Sequence, residues 1–236
     1  MYNILYEGAP RMTATKPVWA GARDMIPFSL GIFAYGIVYG VLARAGSLTL
    51  GETMSMSALV FAGASQFMAL ALFQQGAAGL AVVLATLVVN LRQVLYGISL
   101  GPHLKGTARP KLALLAHGLV DESYGVAMVA CASEACGPGY FLGAGLGAFA
   151  PWVASSLAGY LLAGFLGDPF RFGLDFAFIG AFTGLLVSQL RSRLLVGVAA
   201  GSALVAVVVW HFLGSNWSIA AGALTACLLG VVTGEA

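Results

Sequence analysis

The chain has 236 residues, 60% of them hydrophobic and only 8% charged, with a formal net charge of +2 and a mean hydropathy of +0.92. Soluble domains carry about 25% charged residues, so this composition describes a membrane protein. No basic run suggests nucleic acid, and no polar stretch is long enough to enclose a soluble core.

Residues 1–24, with Glu7, Arg11, Lys16, Arg23 and Asp24, read as a polar N-terminal leader, and residues 25–236 as a single transmembrane domain. Apolar runs follow near 25–43, 53–73, 77–100, 111–132, 140–166, 172–190, 194–213 and 217–233. Most are close to the roughly 20 residues a spanning helix needs. The predicted fold is therefore all-α, a polytopic membrane helix bundle of about seven to eight hydrophobic segments. Ala43-Arg44-Ala45 imitates a signal-peptidase site, but the run before it is too long for a signal peptide and further spans follow, so 25–43 reads as a retained first helix. Short links make neighbouring helices antiparallel; the longest charged link runs from Gly101 to Lys111.

Full crossing by every segment would place Arg11, Lys16, Arg23, Arg191 and Arg193 on one side and Arg44, Lys105, Arg109, Lys111 and Arg171 on the other. The positive-inside rule disfavours such a tie, and a broken or re-entrant segment at 53–73 would resolve it. Within that segment Ala62-Gly63-Ala64-Ser65-Gln66 is a run of small residues ending in an amide, as expected of a helix break; close packing with Gln66 as interhelical glue is the other reading. Pro27 in the first segment and Pro151 in the fifth suggest kinks or breaks. Phe61–Leu70 aligns with Phe178–Leu186, and Pro27 with Pro151, as a two-fold internal repeat would; shared Gly/Ala-rich composition gives the same likeness. Gly143-x-Gly145-x-Gly147 and Gly180-x-x-x-Gly184 favour close helix packing. Trp19, Trp210 and Trp217 read as interfacial anchors, whereas Trp152 falls deeper. Cys131, Cys136 and Cys227 lack CxxC spacing and a matching His pair, so they read as small packing residues with no metal site.

Two polar clusters, Asn90-Leu91-Arg92-Gln93 and Asp121-Glu122-Ser123, interrupt the middle of apolar segments. A charge near the bilayer midplane costs about 2.5–3.5 kcal/mol, and charges kept at that cost usually face a cavity. Arg92 precedes Gly101 and Asp121 follows Lys111 by similar distances along their segments. At helical rise both fall roughly 14–15 Å from the shared loop, at one depth in an antiparallel hairpin. Arg92 is expected to pair with Asp121 or Glu122, either as a simple helix clamp or as part of a substrate site. Two acids against one arginine leave one acid over, whose raised pKa would suit proton coupling. Thr86, Asn90, Gln93 and Gly97 share one predicted helix face, and His117, Asp121 and Tyr124 another, so His117 could relay protons to Asp121 or could be a packing residue.

Gly164-Phe165-Leu166-Gly167-Asp168 imitates the Gly-x-Gly-Asp signature of intramembrane aspartyl proteases with one residue too many. No HExxH, GxSxG, P-loop or GxGxxG occurs. An intramembrane enzyme using Asp121 with Asp168 and a non-transporting assembly or channel subunit stand as alternatives to a transporter.

The ordered set of motifs resembles the AzlC family, the large subunit of bacterial branched-chain amino acid exporters. It comprises Pro-Phe-x-x-Gly-x-x-x-Tyr-Gly-x-x-Tyr-Gly over Pro27 to Gly40, Phe-Ala-Gly-Ala-Ser-Gln over Phe61 to Gln66, Asn-Leu-Arg over Asn90 to Arg92 with Tyr96-Gly97, Asp121-Glu122-Ser123, and Asp175-Phe176-Ala177-Phe178. The family often has His after Asn-Leu-Arg, where this chain has Gln93. The resemblance implies a multi-pass protein of the bacterial cytoplasmic membrane that exports small apolar amino acids, with a small AzlD-like membrane subunit as partner; no cofactor is expected. On that reading Gln66, Asn90, Arg92 and Ser65 bind substrate, and Asp121, Glu122 and His117 handle protons. Gln93, Tyr96, Ser123, Tyr124 and Pro27 support them.

Overall fold

A computed structural model describes residues 16–132, 136–165, 192–213 and 215–233, with positions 180, 183, 184, 186, 187 and 190. The described residues are helical and contain no strand. In chain order they form α1 (Val18–Asp24), α2 (Ile26–Ala45), α3 (Leu50–Ser55), a π-helical turn (Met56–Val60), α4 (Gly63–Gln74) and α5 (Gly79–Leu100). A 3-10 turn (Gly101–Leu104) leads to α6 (Arg109–His117), α7 (Asp121–Ala132), α8 (Pro138–Ala163), α9 (Arg193–Leu213) and α10 (Ser215–Thr233). Four stretches among these residues, Ile26–Ala45, Gly79–Leu104, Pro138–Ala163 and Arg193–Phe212, are long and apolar enough to cross a membrane. Leu80, Leu87 and Leu95 of α5 stand more than half exposed, as expected of side chains that face lipid.

The segments near 53–73 and 111–132 are each divided. The π turn closes on Phe61, whose backbone is left-handed at φ 42°, ψ 51°, and Ala62 then extends before α4 begins at Gly63. A phenylalanine in that region is strained, and such strain persists only where surrounding packing enforces it. The second division was not expected. The apolar run 111–132 reads as one span, yet α6 ends at His117, Gly118 to Val120 leave the helix, and Asp121 opens α7. Ser123 supplies a physical reason: its hydroxyl donates to Gly118 O at 2.7 Å and accepts from Val120 N–H at 3.0 Å, replacing helical bonds that the break gives up.

The prolines differ in effect. Pro27 lies in the first turn of α2, where its missing N–H leaves no bond unmade, so it starts the helix instead of kinking it. Pro151 lies inside α8, which continues through it. A proline there cannot bond the carbonyl four residues earlier, and the Ser29 hydroxyl, shared with Met25 O, reaches Gly147 O at 3.4 Å.

α8 is the element around which α1, α2, α3, α6 and α7 gather. It packs along α2 and α1 and also touches α3, α6 and α7. Glycines permit this. A Cβ on Gly40 would run into Ser156 O, one on Gly159 into Ile37 O, and one on Gly143 into Val18 O. Gly145, on the opposite face of α8, brings its Cα against Gly118, where a Cβ would stand 3.1 Å away. The alternating glycines of 143–147 thus serve two neighbours. Residues 18–24, expected as part of a polar leader, form a helix seated on α8. Fully buried Tyr39, Phe67 and Leu70 fill the core beside Trp152, with the Tyr39 and Trp152 rings stacked at 5.7 Å.

Cys131 and Cys136, expected as separate packing residues, are joined by a disulfide that ties the end of α7 to the residue before Gly137 at the start of α8. Cys227 is free. The proposed echo at Phe178–Leu186 falls largely outside the described residues, as do Asp168 and Asp175–Phe178.

Gly40→Ala and Gly159→Ala should each lower the thermal midpoint of the detergent-purified protein, in keeping with an overpacking cost of about 1–3 kcal/mol. Gly97→Ala, where a Cβ meets nothing within 4 Å, should leave the midpoint unchanged within error.

Candidate functional site

The two breaks meet at one cavity. Phe61 to Ala64 bring the start of α4 to it, Val120 to Glu122 the start of α7, and Arg92 and Gln93 the middle of α5. Ile32 and Tyr35 of α2, Phe67 of α4 and Ala148 and Trp152 of α8 complete the wall. The cavity offers about 70 Å³ to the centres of water-sized spheres, several times the roughly 10–15 Å³ that one water needs.

Its floor is ionic. Arg92 Nη1 lies 2.8 Å from Asp121 Oδ2, and the Tyr96 hydroxyl donates to Asp121 Oδ1 at 2.9 Å. Both oxygens of Asp121 are therefore held. The Tyr96 ring stacks on Tyr124 at 4.2 Å, and the Tyr124 hydroxyl donates to Ser99 Oγ at 3.1 Å, which locks α5 to α7 beside the pair. The buried Nε of Arg92 has no hydrogen-bond partner. Salt bridges among the described residues are Arg23–Asp24 and Arg92–Asp121, which leaves Glu122 with no cation at that distance.

The two helix starts share a device and differ in charge. At α4 the Ala62 N–H donates to Gln66 Oε1 at 3.2 Å, and at α7 the Val120 N–H donates to Ser123 Oγ. Each new helix thus reaches back with a side chain to satisfy the residue before its first turn, as one half of a capping box does. Ser65 Oγ donates to Ala62 O at 2.9 Å and accepts from Asn90 Nδ2 at 3.3 Å, which connects α4 to α5. The first turn of α4 is Gly63-Ala64-Ser65, without charge, so its N-terminal partial positive charge is uncompensated by side chains. The first turn of α7 carries Asp121 and Glu122. Gly63 is needed in this place, because a Cβ there would stand 3.1 Å from the Trp152 ring.

The cavity therefore gathers Arg92, Gln93, Asp121 and Glu122 directly, with Asn90, Ser65, Gln66, Tyr96, Ser123 and Tyr124 just behind. It does not gather His117 or Pro27. The break after His117 removes the helical register that put His117 and Asp121 on one face. The His117 ring instead lies 5.8 Å from the rings of Phe61 and Phe149, beside a separate apolar cavity. Gln66 is fully buried. Sequence singles out neither Ile32, Tyr35 nor Phe61 as a wall residue. Tyr35 and Phe61 stand inside two of the motifs, and Trp152 is marked by its depth alone.

The family described as AzlC protein matches residues 27–166, which contain every element of this cavity. The chain belongs to that family. Among AzlC relatives, the "Branched-chain amino acid transport protein AzlC" of Bacillus subtilis (strain 168) is 30% identical over 189 residues, covering 75% of this chain and 71% of the relative. An uncharacterized membrane protein of Archaeoglobus fulgidus is 29% identical over 212 residues, covering 89% and 92%. The "Inner membrane protein YgaZ" of Escherichia coli (strain K12) is 24% identical over 227 residues, covering 90% and 89%. No solved structure matches significantly. The AzlC chain described here is a multi-pass membrane protein.

Ser123→Ala should unpair the Val120 N–H, and Gln66→Leu the Ala62 N–H. Each should lower the thermal midpoint in detergent by an amount consistent with about 1–3 kcal/mol for an unsatisfied buried donor. Gln66→Glu, which keeps an acceptor, should be the milder change at that site.

Proposed function

We propose that this protein is the large subunit of a two-component exporter that moves small apolar amino acids with branched side chains out of the cell across the cytoplasmic membrane, coupled to protons. One observation carries the reading: a cavity between two broken helices presents, together, a helix start without charged side chains, the Arg92–Asp121 pair and a second carboxylate, Glu122. That is the charge pattern of a zwitterion. The substrate carboxylate takes the N–H groups of the α4 first turn together with the Arg92 guanidinium. The ammonium group takes Glu122, or Asp121 once Arg92 turns to the substrate. Ile32, Phe61, Phe67 and Trp152 receive the side chain. The Bacillus subtilis relative's name supports a branched-chain substrate.

Proton coupling falls to Glu122, the acid left without an arginine; His117 is the less favoured carrier, since it lines the other cavity. The partner is a small AzlD-like membrane subunit. In cells expressing both subunits, Arg92→Ala and Asp121→Asn should each reduce valine efflux by about 10–150-fold, the loss of one charged hydrogen bond of about 1.5–3 kcal/mol. Unchanged efflux in both variants would overturn the site. Glu122→Gln should flatten the dependence of efflux on external pH.

The direct Arg92–Asp121 bond favours a second reading, a helix clamp in a subunit that does not itself transport. The exchange Arg92→Asp with Asp121→Arg separates the two. A clamp survives the exchange and retains activity, whereas a site that binds carboxylate and ammonium at fixed positions does not.

A further inference from the structure

At the far end of α7 from Asp121, three side chains with soft or borderline donors converge. Cys131 lies in the last turn of α7, Cys136 precedes the start of α8, and His103 projects from the 3-10 turn that follows α5. One donor atom from each lies within 4.8 Å of the other two. The cysteine Cα atoms are 4.4 Å apart. Cys131 is 8% and Cys136 2% exposed, both within an apolar cluster that includes Leu100, Leu115 and Phe141, while His103 is half-buried and opens toward the surface. Three separate elements supply these residues, so no single helical repeat explains their meeting.

The geometry points to a redox-gated site for a thiophilic divalent cation of the zinc class. Oxidised, Cys131 and Cys136 form the disulfide seen here and leave His103 without a partner sulfur to share a metal. A dithiol reductant opens the bond: the reductant becomes a disulfide, and Cys131 and Cys136 each gain an electron and a proton. A cation then displaces the two thiol protons and binds two thiolates and the imidazole, with a fourth position left for water. Tetrahedral zinc needs donors about 3.5–3.8 Å apart, given metal bonds of about 2.0–2.3 Å, and donors already within 4.8 Å reach that by side-chain rotation. The start of α8 next to Cys136 favours its thiolate, and the apolar shell around the two cysteines confines solvent access to the His103 side. Both states tie α7 to α8, and the metal state adds the α5–α6 turn.

The experiment uses the full chain in detergent, with Zn(II) as the probe. After reduction by a phosphine and removal of the reductant, the chain should take up one Zn(II) per molecule; the air-oxidised chain should take up none. Cys131→Ser and Cys136→Ser should abolish uptake. His103→Ala should weaken it by about 100-fold or more, above the roughly 10–100-fold that outer-sphere partners are worth. Cys227→Ser should bind as the unaltered chain does. In case the serine variants fail to fold, maleimide labelling of the unaltered reduced chain gives the same answer: Zn(II) should protect two of its three thiols. Less than a tenth of an equivalent bound after reduction, protection of no thiol, or unchanged uptake in the Cys131→Ser, Cys136→Ser double variant would each overturn the assignment.

Discussion

Inside a bilayer, a backbone group that leaves its helix finds no water, so every interruption must be repaired by the protein itself. That constraint governs this molecule. At the first break the repair comes from Gln66 and Ser65, at the second from Ser123, and in α8 the carbonyl freed by Pro151 is met by Ser29. Short polar side chains in these positions are thus part of the backbone's own bonding. With the interruptions made safe, two helices can begin in the middle of the protein and direct their first turns at a common space. The cavity follows from the repairs, and its charge pattern from what each first turn carries.

Arg92 and Asp121 then bind the arrangement laterally. A single ion pair with one carboxylate would leave the Asp121 side chain free to turn, but the Tyr96 hydroxyl fixes its second oxygen and the Tyr96–Tyr124 stack fixes the hydroxyl. Asp121 is held directly by Arg92 and Tyr96 of α5, with Tyr124 of α7 stacked behind Tyr96. Glu122, one residue along α7, has no cation within salt-bridge distance among the described residues.

Much of this could be read in the sequence, for identifiable reasons. Charges are so rare in a chain with 8% charged residues that Arg92 and Asp121 stand out without help from structure, and their equal distance from one loop is enough to bring them together. The first break announces itself through the small residues of Ala62–Ser65. The second does not: Gly118-Leu119-Val120 is apolar, and Asp121-Glu122 in mid-segment reads as a pair of interior charges. The same two acids followed by Ser123 are also what a helix first turn prefers, and that local signal was masked by the hydrophobicity around it. The error carried over to His117, whose placement near Asp121 assumed an unbroken helix. The Cys131–Cys136 bond had no sequence signal at all, since it depends on where α7 ends and α8 begins.

The glycine-mediated seat of α2 on α8 has a consequence for how the chain is made. Ser29 and Gly147, which meet across it, are 118 residues apart. α2 enters the membrane long before α8 is synthesised, with its glycine face against lipid and no backbone to nest in. Lipid chains conform to such a groove but do not bond to it, so α2 has only weak local reason to hold one rotation or tilt while it waits. Its final placement is decided late, when α8 arrives and closes a long loop. Assembly of the broken helices, whose cavity needs walls from both α2 and α8, must come after that closure.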